Sequence, residues 1–548
     1  MSARITKHDA WIVGVASALL IAFASWFDFF CDDAFITVRY AHNLATHGAP
    51  IYNAGERVEG YTSFLWLVLS ALGALLPMAL TTFVKALGAA SGVGLLAATW
   101  ALLRRVLPGE RLYGAAVLFM LAATAPVAAW TMGGLETPLF AALATYACAL
   151  AIDVQREPSA KRGAALGLVL ALATLARPEG ALVAAIVWLV LLAYLARTPA
   201  GRAALIVTVA TAGLLVFSHL AWRYSYYGYP LPNTFYIKSS GDSAVMRERG
   251  LAYLAFAARE LGVVLGLAFV GGLALGHRGA ASVDPGAPAA RSLLAWIGRL
   301  LLPSYVLYVV TVGGDFLDLY RFFVPILPIA IVLGALALSR LGGGTPVGVT
   351  TLAFTLGAVL VLVHASGQHT LAERAKQVRE PERSKRGIEP LGWTRLYALR
   401  WAAMGRWIGR HARADDRMAV GAAGAMPYFA GIYNLDTFGL CDAWIAHHGP
   451  VVGTRPGHQR FAPRSYILKN KPAFLLIGND YTRDRPESPK RDATWERLGY
   501  TWAEAKVDAR EFRAPEPYYH YFLMRLDRAR EHASSPWLRS NAALIKGR

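Results

Sequence analysis

Two adjacent carboxylates, Asp32 and Asp33, open the stretch DDAFITVRY immediately behind the first long apolar run of the chain. Charges at the mouth of a membrane helix are costly to place and mark candidate functional sites. Two carboxylates side by side raise one another's proton affinity, take a proton from a hydroxyl, or hold a divalent cation. A competing reading is structural, because an Asp ahead of an amphipathic run makes a good helix N-cap. Ala34, Phe35, Ile36, Val38, Ala41, Leu44 and Ala45 form such an apolar face, and Gly48 is placed to end the helix. Capping accounts for one aspartate and leaves the other unexplained.

Other polar clusters punctuate the apolar chain. Arg39 lies in the first stretch, and Glu59 and Tyr61 in YNAGERVEGYTSFLW (Tyr52 to Trp66). Glu136 stands in GGLETPLF just before Pro138, where it either favours a helix start or contacts a substrate. Arg177 and Glu179 flank Pro178; they pair with each other, or Arg177 reaches a phosphate, whose geometry a guanidinium matches. Asn233, Tyr236 and Lys238 close a tyrosine-rich loop that begins at Arg223, read as an aromatic belt or a sugar and phosphate site. Asp315, Asp318 and Arg321 repeat the pattern, with snorkelling as the bland account of Arg321. His42 and His47 have the wrong spacing for a metal pair on one helical face. The sequence demands no cofactor, although the aspartate pair suits a divalent cation.

These residues need helices to carry them. The chain is 55% hydrophobic and 17% charged, with mean hydropathy +0.38. Its apolar runs of roughly 20 residues define a polytopic α-helical membrane protein. The net charge of +19 fits basic inside loops and a basic tail, and anionic lipid; it forms no dense stripe with interleaved aromatics, which excludes nucleic acid as the partner. Cys31, Cys148 and Cys441 make no zinc pattern, and a Cys31–Cys441 disulfide stays open.

Arg4 and Lys7 precede the first span, so the N-terminus is expected inside and the aspartates outside. The run Thr62–Leu80, interrupted by Gly73 and Pro77, is read as lying along the outer surface, which returns Arg104, Arg105 and Arg111 to the inside. Spans are then expected near Ala10–Phe30, Phe83–Leu103, Leu112–Trp130, Pro138–Ile152, Gly163–Ala176, Ala181–Ala196, Ala203–Trp222, Leu251–Leu275, Leu293–Val312, Phe322–Leu338 and Val347–Val363, about eleven in all. This topology collects every polar cluster named above on the outer face. Residues 1–365 form the membrane domain on this reading. Residues 366–548, richer in charge, form a soluble α/β domain on the outer face, with strands at Arg417–Val420 and Ala473–Ile477 and a turn at GAAGAM (Gly421 to Met426).

Taken together, DDAFITVRYAHNL, YNAGERVEGYTSFLW, GGLETPLF, ARPEG, LPNTFYIK and GGDFLDLYRFFVP resemble the GT-C polyprenyl-phosphate glycosyltransferases. Within that superfamily they are similar to the terminal arabinofuranosyltransferases of mycobacterial cell-wall synthesis and their proteobacterial relatives. The resemblance covers roughly Asp32 to Pro328. It implies a GT-C fold in the cytoplasmic (inner) membrane, facing the periplasm. The donor is a sugar on polyprenyl phosphate, with D-arabinofuranose one of the sugars relatives use, and the acceptor a cell-envelope glycan or glycoprotein. It assigns catalysis to Asp32 and Asp33, with Asp33 preferred as base. Arg177, Lys238 and Arg321 become donor phosphate contacts. Arg39, Glu59, Tyr61, Glu136, Glu179, Asn233, Tyr236 and Asp315 become substrate contacts. A transporter or flippase for a lipid-linked sugar, or a non-catalytic assembly factor, are the rival classes; transporters place their charges at the midplane, between internal repeats.

Overall fold

The computed structural model describes residues 6–274, 286–341, 363–377, 388–455, 457–476, 481–482, 492–508, 510, 518–540 and 542. The first part is helical. α1 (Lys7–Phe27), α2 (Asp32–His47), α3 (Phe64–Gly73) and α4 (Leu80–Val106) lead into α5 (Arg111–Ala122), α6 (Ala125–Met132) and α7 (Thr137–Arg156). Then follow α8 (Ala160–Ala176), α9 (Gly180–Leu195), α10 (Pro199–Tyr227), α11 (Asn233–Lys238), α12 (Ser243–Ala274) and α13 (Ala287–Thr311). A 3-10 turn, Arg321–Ile326, runs into α14 (Leu327–Leu341), and α15 occupies 363–376.

Among the described residues six helical stretches are long and apolar enough to cross a bilayer: α1, α4, α7, α10, α13 and Arg321–Ser339. Several of the expected spans fall outside this set. The Leu112–Trp130 run is two helices, α5 and α6, bent by 59° and forming at most one broken span. Pro126, in the first turn of α6, cannot donate to the preceding turn and breaks the ladder there. α8 and α9 are apolar but only 17 and 16 residues long. The run Val347–Val363 lies outside the described residues except at its last position. α3 has 10 residues, a rise of about 15 Å, half of what a hydrocarbon core needs. It packs against α2 and α4, leaving Leu72 near its end and Leu75, Leu76 and Met78 beyond it exposed. α7 is the central column, buried against α4, α8, α9 and α13. Alanines line it, and small side chains let helix backbones approach closely.

The C-terminal part begins with α16 (Leu391–His411), which lies on a seven-stranded mixed sheet. The strands are β1 (Arg417–Val420), β2 (Tyr433–Asp436), β3 (Phe474–Leu476), β4 (Tyr481–Thr482), β5 (Tyr500–Val507), β6 (Tyr518–Arg525) and β7 (Leu538–Ser540), in the order β2-β1-β3-β6-β5-β7 with β4 on β6. β2, β1 and β3 are parallel and the remaining pairs antiparallel. The expected strand at Ala473–Ile477 is shorter, and its last residue lies outside the described ones. Trp401, Met404 and Ile408 of α16 bury one face of the sheet against Met418, Phe474 and Phe522. α17 (Ala425–Ala430) joins α16 on that face, while α18 (Ala443–His448) and α19 (Arg464–Lys469) belong to the other.

Candidate active site

α2 hangs from α1 by a short extended link. Its N-cap is Cys31, whose side chain makes no capping bond, so Asp32 and Asp33 are the first two helical residues and neither caps its own helix. The start of α2 is seated on the turn Gly133–Gly134. Cys31 N–H donates to the Gly133 carbonyl at 3.1 Å, and a side chain at Gly134 would collide with Phe30 and Ala34 at 2.5 and 2.7 Å. Gly134 also has φ +86°, a conformation glycine adopts without penalty.

Successive helical residues diverge by about 100°, and the two aspartates accordingly face different partners. Asp32 points to the C-terminal part. Its Oδ1 accepts the backbone N–H of Ala425 at 2.8 Å, across 393 positions of sequence. Burial pushes Asp32 up to about 7, with Asp33 adding to the shift and the Ala425 and Gly424 amides opposing it. Asp33 is half-buried, and no donor among the described residues hydrogen-bonds its carboxylate. The cations that feel its charge are Lys238 and Arg321.

Lys238 ends α11. It is accessible to solvent although protein surrounds it, as in a recess. Burial and the neighbouring Arg321 push its ammonium down from the usual lysine range, against the pull of Asp33 and Asp315. An anion arriving there would relieve both effects. Arg321 follows two non-glycine residues held at positive φ, Leu319 (+59°) and Tyr320 (+46°). Such strain persists only where surrounding contacts impose it. Here Leu319 N–H donates to Asp318 and its carbonyl accepts from Trp130 Nε1 at 3.2 Å. Arg321 pairs with Asp315 at 2.8 Å and lies 5.2 Å from the Trp130 ring centre.

Arg177 is placed differently from a free phosphate ligand. Its guanidinium meets Glu136 at 2.6 Å and Glu179 at 2.6 Å, all three nearly buried. Tyr308 donates to Glu179 at 2.9 Å. Arg177 and Arg321 approach the same ring, Phe322, at 5.3 and 5.1 Å. The Glu136–Arg177–Glu179 trio therefore stands beside Arg321 as an ion-paired cluster around the shared Phe322 ring.

The other candidates do not converge on this recess. Arg39 shares the outer-domain face of α2 with Asp32 and donates to the carbonyls of Tyr52 (2.8 Å), Ile432 (2.9 Å) and Pro427. Asn233 spends its amide on the carbonyls of Gly439, Leu440 and Asp442. Glu59 lies 3.5 Å from Arg223, and burial pushes it up to about 8 despite that cation. Tyr61 shares a hydrogen bond with Tyr227, and Tyr236 packs on His447 at 4.3 Å between ring centres. These five line the seam between the helical part and the C-terminal part. The three cysteines are buried free thiols, so Cys31 and Cys441 do not pair.

The comparisons with known proteins agree with this architecture. The archaeal oligosaccharyltransferase of Archaeoglobus fulgidus, solved with a tethered acceptor peptide, superposes with a TM-score of 0.53 at 12% identity, covering 93% of this chain and 73% of that one. ArnT from Cupriavidus metallidurans, bound to undecaprenyl phosphate, gives 0.50 at 12% identity, covering 77% and 84%. This is the GT-C fold. In sequence, the terminal β-(1→2)-arabinofuranosyltransferase of Mycobacterium tuberculosis is 28% identical over 254 residues, 43% of this chain and 40% of the relative. The protein of the same description from Corynebacterium glutamicum is 27% identical over 365 residues, 60% and 51%. The chain thus spans about half or less of the curated relatives it matches. Residues 392–522 match a family described as a domain of unknown function (DUF8728). Placed on the GT-C fold, the sequence reading passed over Trp130, Phe322 and Tyr308, which sit beside or within its motifs and carry no charge to flag them. It also passed over Gly424 and Ala425, whose link to Asp32 no local pattern encodes.

Proposed function

We propose that this chain is a membrane glycosyltransferase that moves a sugar from a polyprenyl-phosphate donor to a cell-envelope glycan or glycoprotein acceptor, at the outer face of the cytoplasmic membrane. One observation carries the reading: a carboxylate free of protein donors, Asp33, opposite Lys238 and Arg321 in a GT-C fold. D-arabinofuranose is the sugar, on the strength of the two relatives' descriptions. Complexes of the structural neighbours with undecaprenyl phosphate and with dolichol-phosphate support a lipid-linked donor.

The reaction is a single displacement. Asp33 accepts the proton of the acceptor hydroxyl as its oxygen attacks the anomeric carbon. The bond to the donor phosphate oxygen breaks, the electron pair leaves with polyprenyl phosphate, and the anomeric configuration inverts. Lys238 and Arg321 stabilise the charge that grows on the phosphate. Arg177 holds Arg321's surroundings and has few donors left for a ligand. These steps are assigned to the chain's own side chains, and the charge of Asp33 is answered by Lys238 and Arg321.

The test is a transfer assay on the full-length protein in nanodiscs, with decaprenyl-phosphoryl arabinofuranose and other defined polyprenyl-phospho-sugars. Asp33→Asn is expected to lose about 100-fold or more in kcat, the usual worth of a general base. A well-folded Asp33→Asn protein with wild-type turnover would refute the assignment. Failure of the wild type with every lipid-linked donor would refute the function.

A further inference from the structure

The proposed reaction uses Asp33 and leaves its neighbour unexplained. Asp32 is turned away from Lys238 and Arg321, and its carboxylate is already occupied by the Ala425 N–H at 2.8 Å. The contact is close along its whole length. A Cβ on Gly424 would lie 2.1 Å from the Asp32 carbonyl oxygen and 2.6 Å from its Oδ2, so no other residue fits at 424 without moving α2. Two helical turns further on, Arg39 donates from the same face of α2 to the carbonyls of Pro427 and Ile432, on either side of the end of α17. The Tyr52 hydroxyl donates to the Ala423 carbonyl at 2.6 Å and so fixes the other end of the loop. α2 is bound to the loop 421–425 and to α17 at its first turn and again midway along one face, while its other face presents Asp33.

We infer that the 421–425 loop of the C-terminal domain is a positioning element of the active centre, which grips Asp32 and thereby sets the angle at which Asp33 meets the acceptor hydroxyl. On this account Asp32 is a positioning residue, and the C-terminal domain is part of the catalytic unit. The inference rests on the proposed transferase reading. Its chemistry is simple: a misplacement of about 1 Å in a reacting group costs on the order of 100-fold in rate, with little change in ground-state binding.

The variants separate this from direct catalysis. Asp32→Asn keeps an oxygen for the Ala425 N–H, whereas Asp32→Ala removes it. In nanodiscs with decaprenyl-phosphoryl arabinofuranose, Asp32→Ala and Gly424→Ala are expected to lose about 100-fold in kcat with donor KM within about threefold. Asp32→Asn should lose only about tenfold or less. Asp33, Cys31 and Tyr397 are the titratable groups that face Asp32. Removing the charge of Asp32 should flatten the acidic limb of the pH–kcat profile near 7. An Asp32→Asn enzyme as inactive as Asp33→Asn, or a Gly424→Ala enzyme of wild-type turnover, would overturn the inference. Hydrogen exchange reads the grip without any substrate: amides of 424–430 should exchange at least about tenfold faster in Asp32→Ala. Unchanged exchange there would overturn the inference even if no donor were accepted, and faster exchange in an enzyme without activity would leave the grip standing and remove only the transferase reading.

Discussion

Arg177 and Glu136 meet at 2.6 Å although 41 positions separate them, and the opposite edge of the same guanidinium holds Glu179. One cation thereby pairs with two carboxylates in a nearly dry setting. Removing it leaves both charges stranded, an effect of about 3–5 kcal/mol for a buried pair. Arg177→Met is expected to lower the thermal unfolding midpoint of the purified protein sharply. Adding Glu136→Gln and Glu179→Gln should restore most of it, because the stranded charges disappear with the partner. A single Arg177→Met variant as stable as wild type would show that the trio contributes nothing to the fold.

On the proposed reading, Lys238 and Arg321 divide the work on the donor phosphate. Arg321 is braced by Asp315, Trp130 and Phe322, while among the described residues Lys238 has no ion-pair partner within 4 Å. Lys238→Met should reduce kcat/KM for the lipid donor by about 100-fold, as for the loss of one oxyanion donor. Arg321→Met should do the same and also destabilise the protein, since it strands Asp315. Steady-state kinetics with the donor varied, set beside thermal unfolding, separates the two.

Glu59 gives a pH-dependent signature. Its folded pKa, about 8, lies above the ordinary value near 4.5 because burial outweighs Arg223. The folded protein thus binds the extra proton between those values, so the contribution of Glu59 to stability falls as pH rises from about 4.5 through 8. Glu59→Gln removes that dependence. Its unfolding midpoint relative to wild type should be near zero at pH 5 and grow more favourable up to pH 9. A difference that stays flat across this range would contradict the assignment.

His520 has the opposite sign. It is fully buried in β6 beside Trp401, neither ring nitrogen finds a partner among the described residues, and burial pushes it down to about 3. Below about 6.5 the unfolded chain binds a proton that the folded chain refuses, so stability is intact above that pH and falls toward pH 3, by up to about 1.4 kcal/mol per unit. His520→Phe should remove that slope from the acid side of the stability profile. Equal acid sensitivity in the variant and the wild type would show that His520 does not contribute to it.

What was legible in the chain was local. Hydropathy over about 20 residues reports a helix in lipid whatever its neighbours are. The short α3, the helix that Gly48 ends at φ +67° and the strand at Arg417–Val420 follow from residues a few positions apart. Hydropathy carries no information on direction: Pro126 bends the chain at α5–α6 without lowering its apolar content. The structure replaces the capping reading of the aspartates: Cys31 is the N-cap of α2, and the backbone N–H that Asp32 accepts belongs to Ala425.

The sequence by itself determined the membrane class, the apolar and polar faces of α2, and the set of charged residues available for chemistry. Only the tertiary structure decided which of them act together. It gave Arg177 to two carboxylates, Arg39 and Asn233 to backbone carbonyls, and Asp33 to the recess with Lys238 and Arg321. The reason is physical. A buried charge or amide takes whichever partner the packing brings within about 3 Å, and packing joins segments hundreds of residues apart that no spacing rule along the chain connects.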